Sequence, residues 1–462
     1  MASGRPGRDR LDVDQSALGA LVRLRRSPLP FLTGLAATHP RTATLRIGPE
    51  RVVVVNDADL AHELLTLRAR ATVKGRGLAR ARFLLGDGLL TSEGDVHRTR
   101  RRRVQPAFHR ARVEAYRPAV AAAAAARCAR WSEGDRIDLG AEMSRLTLDV
   151  AGRTLFGADV SGSAAEVTDA LTDVVRAFRT VMMPGGGLVL RSPLPAGRRL
   201  RRARARLDTV VDDLVRGRRR APRAGDGPRT VLDLLLDDDT APPLTAGEVR
   251  DEVMTLLLAG HETTALALTW SLAAAAGDEG VRAQLEAEWD RADVADLRPD
   301  VLPWTTATVA EALRLWPPAW VIGRRATDGF RLGDAWVPAG TLCLVSPLSL
   351  HRDPRWWSEP DRFVPQRWLR AVDEAEDSAS ASTGVVFRPA RDGRPRGAYL
   401  PFGAGPRVCV GEAFAWAEAV ALLAAVGSRW RVRLLGPSPV PGRPGITLRP
   451  RQPVRAMVMD RA

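Results

Sequence analysis

With 462 residues, 45% of them hydrophobic, the chain can bury a large core. Its three cysteines, Cys128, Cys343 and Cys409, are too few for a disulfide framework and imply a reducing, cytoplasmic compartment. The formal charge of +15 invites a nucleic-acid reading, but Lys74 is the only lysine, and the dense arginine runs (Arg98 with Arg100 to Arg103, and Arg198 to Arg206) carry neither interleaved aromatics nor a nucleic-acid motif. A basic face for an acidic electron carrier fits that charge better.

Residues 1–24 are expected to form a flexible leader, with neither an export signal nor a membrane anchor, because no apolar core follows Met1 and the run Ala119 to Ala126 is too short to span a bilayer. Residues 25–462 read as a single domain. Thr42 to Ile47 and Arg51 to Val55 flank Gly48-Pro49-Glu50 and predict a small sheet near the start. Helical patterns follow at Asp59 to Leu67, in the Ala-rich stretch to Trp131, and at Leu146 to Leu155, Val167 to Val181 and Leu200 to Arg216. Thr245-Ala246-Gly247-Glu248 is a capping box opening a long apolar helix to Ala276, with Gly277 as its stop. Phe330 to Leu332, Ala335 to Val337 and Thr341 to Val345 predict a second small sheet, and Ala371 to Gly397 a surface loop. The fold class is therefore mostly α, an α+β domain with small sheets.

Buried free cysteines usually act as small hydrophobes, which suits Cys128 and Cys343. Cys409 stands in Phe402-Gly403-Ala404-Gly405-Pro406-Arg407-Val408-Cys409-Val410-Gly411, where glycines let backbone approach a flat cofactor and Arg407 brings positive charge. The apolar segment from Glu412 reads as a helix, whose amino end favours a thiolate. In the long helix, Ala259-Gly260-His261-Glu262-Thr263-Thr264 sets polar groups inside an apolar run, which costs free energy unless they find partners. A hydroxyl there can bond back one turn and bend the helix. Glu311 and Arg314, three apart, can pair on one helical face.

The segment around Cys409 resembles the haem-binding signature of the cytochrome P450 family at Phe402, Gly405, Arg407, Cys409 and Gly411. The resemblance implies the triangular helical fold of that family, with haem b (iron protoporphyrin IX) buried between the long helix and the cysteine loop. It makes Cys409 the axial ligand of the iron and packs Phe402 beside the sulfur. Glu262 and Thr263 become the acid–alcohol pair that handles protons and oxygen, while His261 reads as structural or substrate-side. Glu311 and Arg314, with Arg367 in Phe363-Val364-Pro365-Gln366-Arg367-Trp368, resemble the family's buried structural triad, although Gln366 replaces the usual glutamate. Propionate binding falls to His97, Arg101, Arg324 and Arg407, with the neighbouring arginines Arg100, Arg102, Arg103 and Arg325 as alternatives.

The implied reaction is a monooxygenation of a hydrophobic small molecule, with two electrons from a ferredoxin or flavodoxin and its NAD(P)H-dependent reductase. The stretches Pro193 to Leu214, Leu313 to Thr327 and Gly445 to Pro450 resemble bacterial family members that oxidise cyclic terpenes. Greasy segments at Thr72 to Leu90 and Ala177 to Leu190 are pocket candidates, and the same composition would serve a fatty-acid hydroxylase. A haem protein without monooxygenase activity is the other alternative, against which Glu262 and Thr263 speak.

Overall fold

The computed structural model describes residues 17–160, 162, 166–167, 169–170, 173, 194–220, 229–237, 242–293, 297–371, 385–387 and 393–461. The expected helix at Val167 to Val181 and the pocket segment Ala177 to Leu190 lie largely or wholly outside them. A helix, Ala17–Arg26, occupies the end of the range expected as a leader. Two compact units are distinguished, one from the described residues of Met1–Gly77, Ala319–Asp361 and Arg391–Cys409, the other from Leu78–Pro318, Arg362–Ala390 and Val410–Ala462.

In the first unit, the strand pair expected near the start is joined by one strand of the second expected sheet, Leu342–Val345, while Phe330–Leu332 and Ala335–Val337 stay apart as a two-stranded sheet. The five strands of the joined sheet run in the order Thr42–Ile47, Glu50–Val55, Leu342–Val345, Ile322–Ala326, Thr72–Lys74. The joining step is a parallel pairing of Val52 with Leu342 through to Val55 with Val345. Local sequence patterns do not register a pairing between strands so far apart in the chain, because parallel neighbours need a long crossover. As an inner strand, Val52 to Val55 is buried at every position, so the run is continuously apolar and not alternating. Helix Ala58–Leu65 packs there through Leu60, Leu64 and Leu65, in one cluster with Val53, Val55, Phe330 and Val345. Its amino end is capped by Asp57, which accepts from the Asp59 and Leu60 amides. The hairpin of Phe330–Leu332 and Ala335–Val337 forms as expected.

The second unit is organised around the helix Ala246–Ala276, 31 residues long, opened by the Thr245/Glu248 capping box. Helices Leu139–Ala151, Pro195–Arg220, Glu279–Trp289, Pro303–Leu315 and Glu412–Arg429 all pack against it. A three-stranded antiparallel sheet joins Trp430–Leu434, Arg455–Asp460 and Arg136–Asp138. The segment expected as a loop after Ala371 contains a strand, Val385–Phe387, antiparallel to Leu369–Ala371. Its flanking Ser, Gly and acidic composition hid a three-residue apolar piece that a partner strand stabilises. No helix among the described residues is long and apolar enough to cross a membrane.

The first turns of the long helix are fixed by two acids, one of them buried. Glu252 accepts from the Leu89 amide at 3.1 Å and pairs with Arg100 at 3.4 Å. Asp251 accepts from the Asp87 amide at 2.7 Å and from Arg250 at 2.9 Å. Gly86 has φ +63°, and a Cβ there would lie 1.9–2.0 Å from the Asp251 carboxylate. Because Asp251 is held on both sides, it cannot simply swing away. Gly86→Ala is therefore expected to lower stability by about 1–3 kcal/mol, read as a depressed thermal or denaturant midpoint. An unchanged midpoint would show that the turn relaxes freely.

Candidate active site

The cysteine loop belongs to the first unit. Its backbone folds back so that the Cys409 amide donates to the Phe402 carbonyl at 3.0 Å. Gly403 and Gly405 take φ +76° and +73°, in the region that disfavours a side chain. At Gly405 a Cβ would lie 2.1 Å from the Leu65 carbonyl oxygen, so the loop sits directly on the end of helix Ala58–Leu65. Arg407 is anchored, donating to the carbonyls of Ala69 at 3.0 Å and Thr72 at 2.9 Å. Cys409 is exposed whereas Cys128 and Cys343 are buried. Burial pushes the Cys128 thiol up to about 11 and the Cys343 thiol to about 12, which makes both poor sources of thiolate.

Arg324, on strand Ile322–Ala326, is buried and donates to the Gly323 carbonyl at 3.1 Å. Its neighbour Arg325 pairs with Glu50 and donates to the Gly340 carbonyl. In the second unit, His97 is buried and Arg101 half-buried on helix Gly94–Val104. Arg100 pairs with Glu248 at 2.7 Å and Arg103 donates to the Pro242 carbonyl, while Arg102 is exposed. Among these adjacent cations, Arg100, Arg103 and Arg325 thus have structural duties within their own units.

From Glu252 to Ala273 the long helix is buried at every residue except Leu258, Ala259, Gly260, Glu262 and Thr263. The helix continues unbroken through this opening. Thr263 donates to the Ala259 carbonyl at 2.8 Å and Thr264 to the Gly260 carbonyl at 3.2 Å, the back-bonds expected of hydroxyls in a helix. His261 points the other way. It is fully buried, its Nδ1 bonds the Leu257 carbonyl at 2.6 Å, and burial lowers its basicity. Thr147 from helix Leu139–Ala151 donates to the His261 carbonyl at 3.0 Å.

Glu262 is gripped by two residues to which the sequence assigned no role. Its Oε1 accepts from the Thr447 hydroxyl and from Arg449, at 3.0 Å from Nε and 2.7 Å from Nη2. Both donors lie on the segment Gly445 to Pro450, whose strand Leu448–Pro450 pairs with Gly442–Pro444. That segment is tied to the long helix by Trp270, whose indole donates to the Leu448 carbonyl at 3.4 Å. The alternation of Thr447 and Arg449 along an extended piece would place both on one face, but nothing in the sequence says which helix that face meets.

The structure brings Glu311, Arg314 and Arg367 together. Arg314 forks onto Glu311 with Nε to Oε2 at 2.9 Å and Nη2 to Oε1 at 2.8 Å, and Arg367 Nε donates to Oε1 at 3.1 Å. Trp368 donates to Oε2 and the Val364 amide to Oε1, each at 2.9 Å. Neither Glu311 nor Arg314 has any side-chain exposure. The pair that their spacing allows on one helical face is thus the middle of a buried centre.

The family model for Cytochrome P450 matches residues 16–454. The chain belongs to the cytochrome P450 family. This P450 is 38% identical to cyclooctatin synthase of Streptomyces melanosporofaciens over 94% of its own length and 90% of that protein. It is 33% identical to pentalenene oxygenase of Streptomyces avermitilis, with 90% and 89% covered. Among solved structures, CYP175A1 of a Thermus thermophilus strain matches with TM-score 0.73 at 27% identity, covering 95% of this chain and 97% of that one. The fold is that of the P450s, and the P450 is a monooxygenase.

The loop residues fit the family's haem: one exposed thiol, on a glycine turn too tight for side chains, beside an arginine whose backbone anchors fix its position. The buried centre supports an expectation about the stability of this P450. Arg314→Ala, which strands the Glu311 carboxylate, should cost about 3–5 kcal/mol and give unstable or insoluble protein. Trp368→Phe, which removes one neutral donor from Oε2, should cost about 1–3 kcal/mol. Thermal melts of both variants check the order, and a Trp368→Phe loss as large as that of Arg314→Ala would contradict it.

Proposed function

We propose that this P450 oxidises a cyclic terpenoid, with Cys409 as the thiolate ligand of haem b and Glu262 and Thr263 as its proton- and oxygen-handling pair. The observation that carries the residue assignment is the opening at Leu258 to Thr263, since a helix buried for some twenty residues presents an acid and an alcohol only there. Bound haem supplies the iron at which dioxygen is activated by two electrons. The propionates would be held by His97, Arg101, Arg324 and Arg407. Arg407 is pre-positioned by its carbonyl anchors, and guanidinium groups suit carboxylates.

Glu262 is arranged to move protons while staying in place. All of its clamp falls on Oε1, which leaves Oε2 to exchange a proton with water at the opening. Thr263 can turn its hydroxyl from the Ala259 carbonyl at small cost, because a helical back-bond is weak competition for a new partner. Glu311, Arg314 and Arg367 serve fold integrity and cofactor retention.

Substrate class rests on relatives whose names specify oxygenation of pentalenene and, at position 5, of cyclooctat-9-en-7-ol, together with the apolar residues Leu84, Leu85 and Leu89 in the segment Thr72 to Leu90. The electrons come from a ferredoxin or flavodoxin with its NAD(P)H-dependent reductase, and the excess of arginine suits an acidic carrier.

Two expectations test the assignment. Cys409→Ala should abolish the thiolate-type spectrum of the reduced, carbon monoxide-treated protein, and an unchanged spectrum would remove Cys409 from the iron. Thr263→Ala should keep the cofactor and substrate-induced spectral shifts with pentalenene or cyclooctat-9-en-7-ol, but yield less product and more hydrogen peroxide per NAD(P)H, by about tenfold or more in their ratio. Full coupling in Thr263→Ala would move the role to Thr264 or to water.

A further inference from the structure

We infer that His351 is a positioning residue for Cys409, its imidazole holding the backbone that leads into the cysteine loop. His351 is fully buried in the first unit, just beyond the single helical turn Pro347–Leu350. Its Nε2 accepts from the amide of Leu400 at 2.7 Å, two residues ahead of Phe402. An amide N–H can only donate, so Nε2 presents a lone pair and the ring is the neutral tautomer with its proton on Nδ1. From Leu400 the contact reaches the cysteine through two backbone bonds. The Leu400 carbonyl accepts from the Gly403 amide at 3.1 Å, closing a turn over Pro401 and Phe402, and the Phe402 carbonyl accepts from the Cys409 amide at 3.0 Å.

The imidazole is anchored before it reaches the loop. The His351 amide donates to the Pro347 carbonyl at 2.8 Å. Ser346, at the start of that turn, accepts from the Ser349 amide and donates to the Trp320 carbonyl, each at 3.2 Å. The ring lies against Tyr399 with centroids 5.1 Å apart, and Tyr399 meets Trp357 edge-on, whose indole donates to the Leu350 carbonyl at 3.2 Å. The backbone on either side of Leu400 has its own seats on helix Ala58–Leu65. A Cβ at Gly397 would lie 1.8 Å from the Ala58 carbonyl oxygen, as one at Gly405 would lie 2.1 Å from that of Leu65. Between those seats Leu400 is buried and belongs to neither strand nor helix, so its amide needs an acceptor that secondary structure does not supply. His351 supplies it. Without that lone pair the amide regains a partner only by turning toward water, which would open the turn from Leu400 to Gly403 and shift the carbonyl that holds the Cys409 amide.

The inference rests on Cys409 being the thiolate ligand, and two substitutions test the added step. His351→Phe keeps a ring against Tyr399 but offers no lone pair, whereas His351→Gln offers Oε1 in place of Nε2. In the reduced, carbon monoxide-treated holoprotein, His351→Phe should lower the ratio of thiolate-type to thiol-type signal about tenfold or more, the weight of one orphaned buried amide. His351→Gln, whose oxygen can accept the Leu400 amide, should stay within about threefold of wild type. A side chain that only filled the core would depress the thermal midpoint of both variants and leave both spectra thiolate-type. A wholly thiolate-type spectrum in His351→Phe, or a loss in His351→Gln as large as in His351→Phe, overturns the inference.

Should His351→Phe fail to hold haem, the wild-type protein decides. In its reduced, carbon monoxide-bound form, nitrogen-15 NMR with labelled histidine and leucine should show a His351 ring protonated at Nδ1 and bare at Nε2. Hydrogen exchange at the Leu400 amide should be at least about a hundredfold slower than in an unstructured chain. A proton on Nε2, or a freely exchanging Leu400 amide, overturns the inference. A thiolate-type spectrum persisting in Cys409→Ala would unseat the ligand and the inference with it, a failure told apart by the ring tautomer, which does not depend on which residue binds the iron.

Discussion

A carboxylate taken wholly out of water loses several kcal/mol of hydration, and the loss is recovered only where its lone pairs all find donors. Glu311 meets that condition from two directions. Arg314 reaches it from the same helix, while Arg367, Trp368 and the Val364 amide reach it from the segment around Pro365–Trp368. Arg314 also donates to the Arg362 carbonyl at 2.9 Å, so the charge cluster pins a long irregular segment to helix Pro303–Leu315. Trp316, just beyond that helix, stacks on Trp270 of the long helix at 5.0 Å and packs near Phe363. Trp270 in turn holds the Leu448 carbonyl, on the segment that presents Thr447 and Arg449 to Glu262. The placement of Glu262 therefore depends on a charge cluster with which it shares no hydrogen bond.

Acids along the long helix divide by what meets them. Glu252 is neutralised by Arg100 and the Leu89 amide, which locks the helix to the turn at Gly86. Glu262 is held by one oxygen and open at the other. The two arrangements have different physical consequences. A buried carboxylate held by a guanidinium and an amide gives rigidity, whereas one clamped at a single oxygen can exchange protons without wandering.

Local chemistry was legible in the sequence wherever spacing alone defines it. The Thr245 capping box, the Glu311/Arg314 pair, the hairpin at Phe330–Leu332 and the glycine pattern before Cys409 all depend on neighbours within a few residues. What stayed hidden depends on partners far along the chain. The parallel step between Glu50–Val55 and Leu342–Val345 drew one strand of the second expected sheet into the first. The grip of Arg449 on Glu262 joins a strand to a helix whose facing no periodicity fixes. Val385–Phe387 was missed because a three-residue strand has too little pattern to stand above its polar flanks.

The contrast among the three cysteines shows how backbone selects reactivity. Cys128 and Cys343 sit in core positions where desolvation alone raises the thiol far above neutrality, and the chain uses them as packing atoms. Cys409 avoids that fate because Gly403 and Gly405 turn the backbone where an L side chain would be strained, and Gly405 seats it against the Leu65 carbonyl where any Cβ would collide. The turn leaves the sulfur exposed at the end of its loop, three residues ahead of helix Glu412–Arg429. A side chain at Gly405 would thus act on the thiol without touching it: the loop would have to lift from helix Ala58–Leu65, and Arg407, whose anchors at Ala69 and Thr72 follow that same helix, would move with it. Sulfur position and arginine position are therefore one variable, set by the close approach of a single glycine.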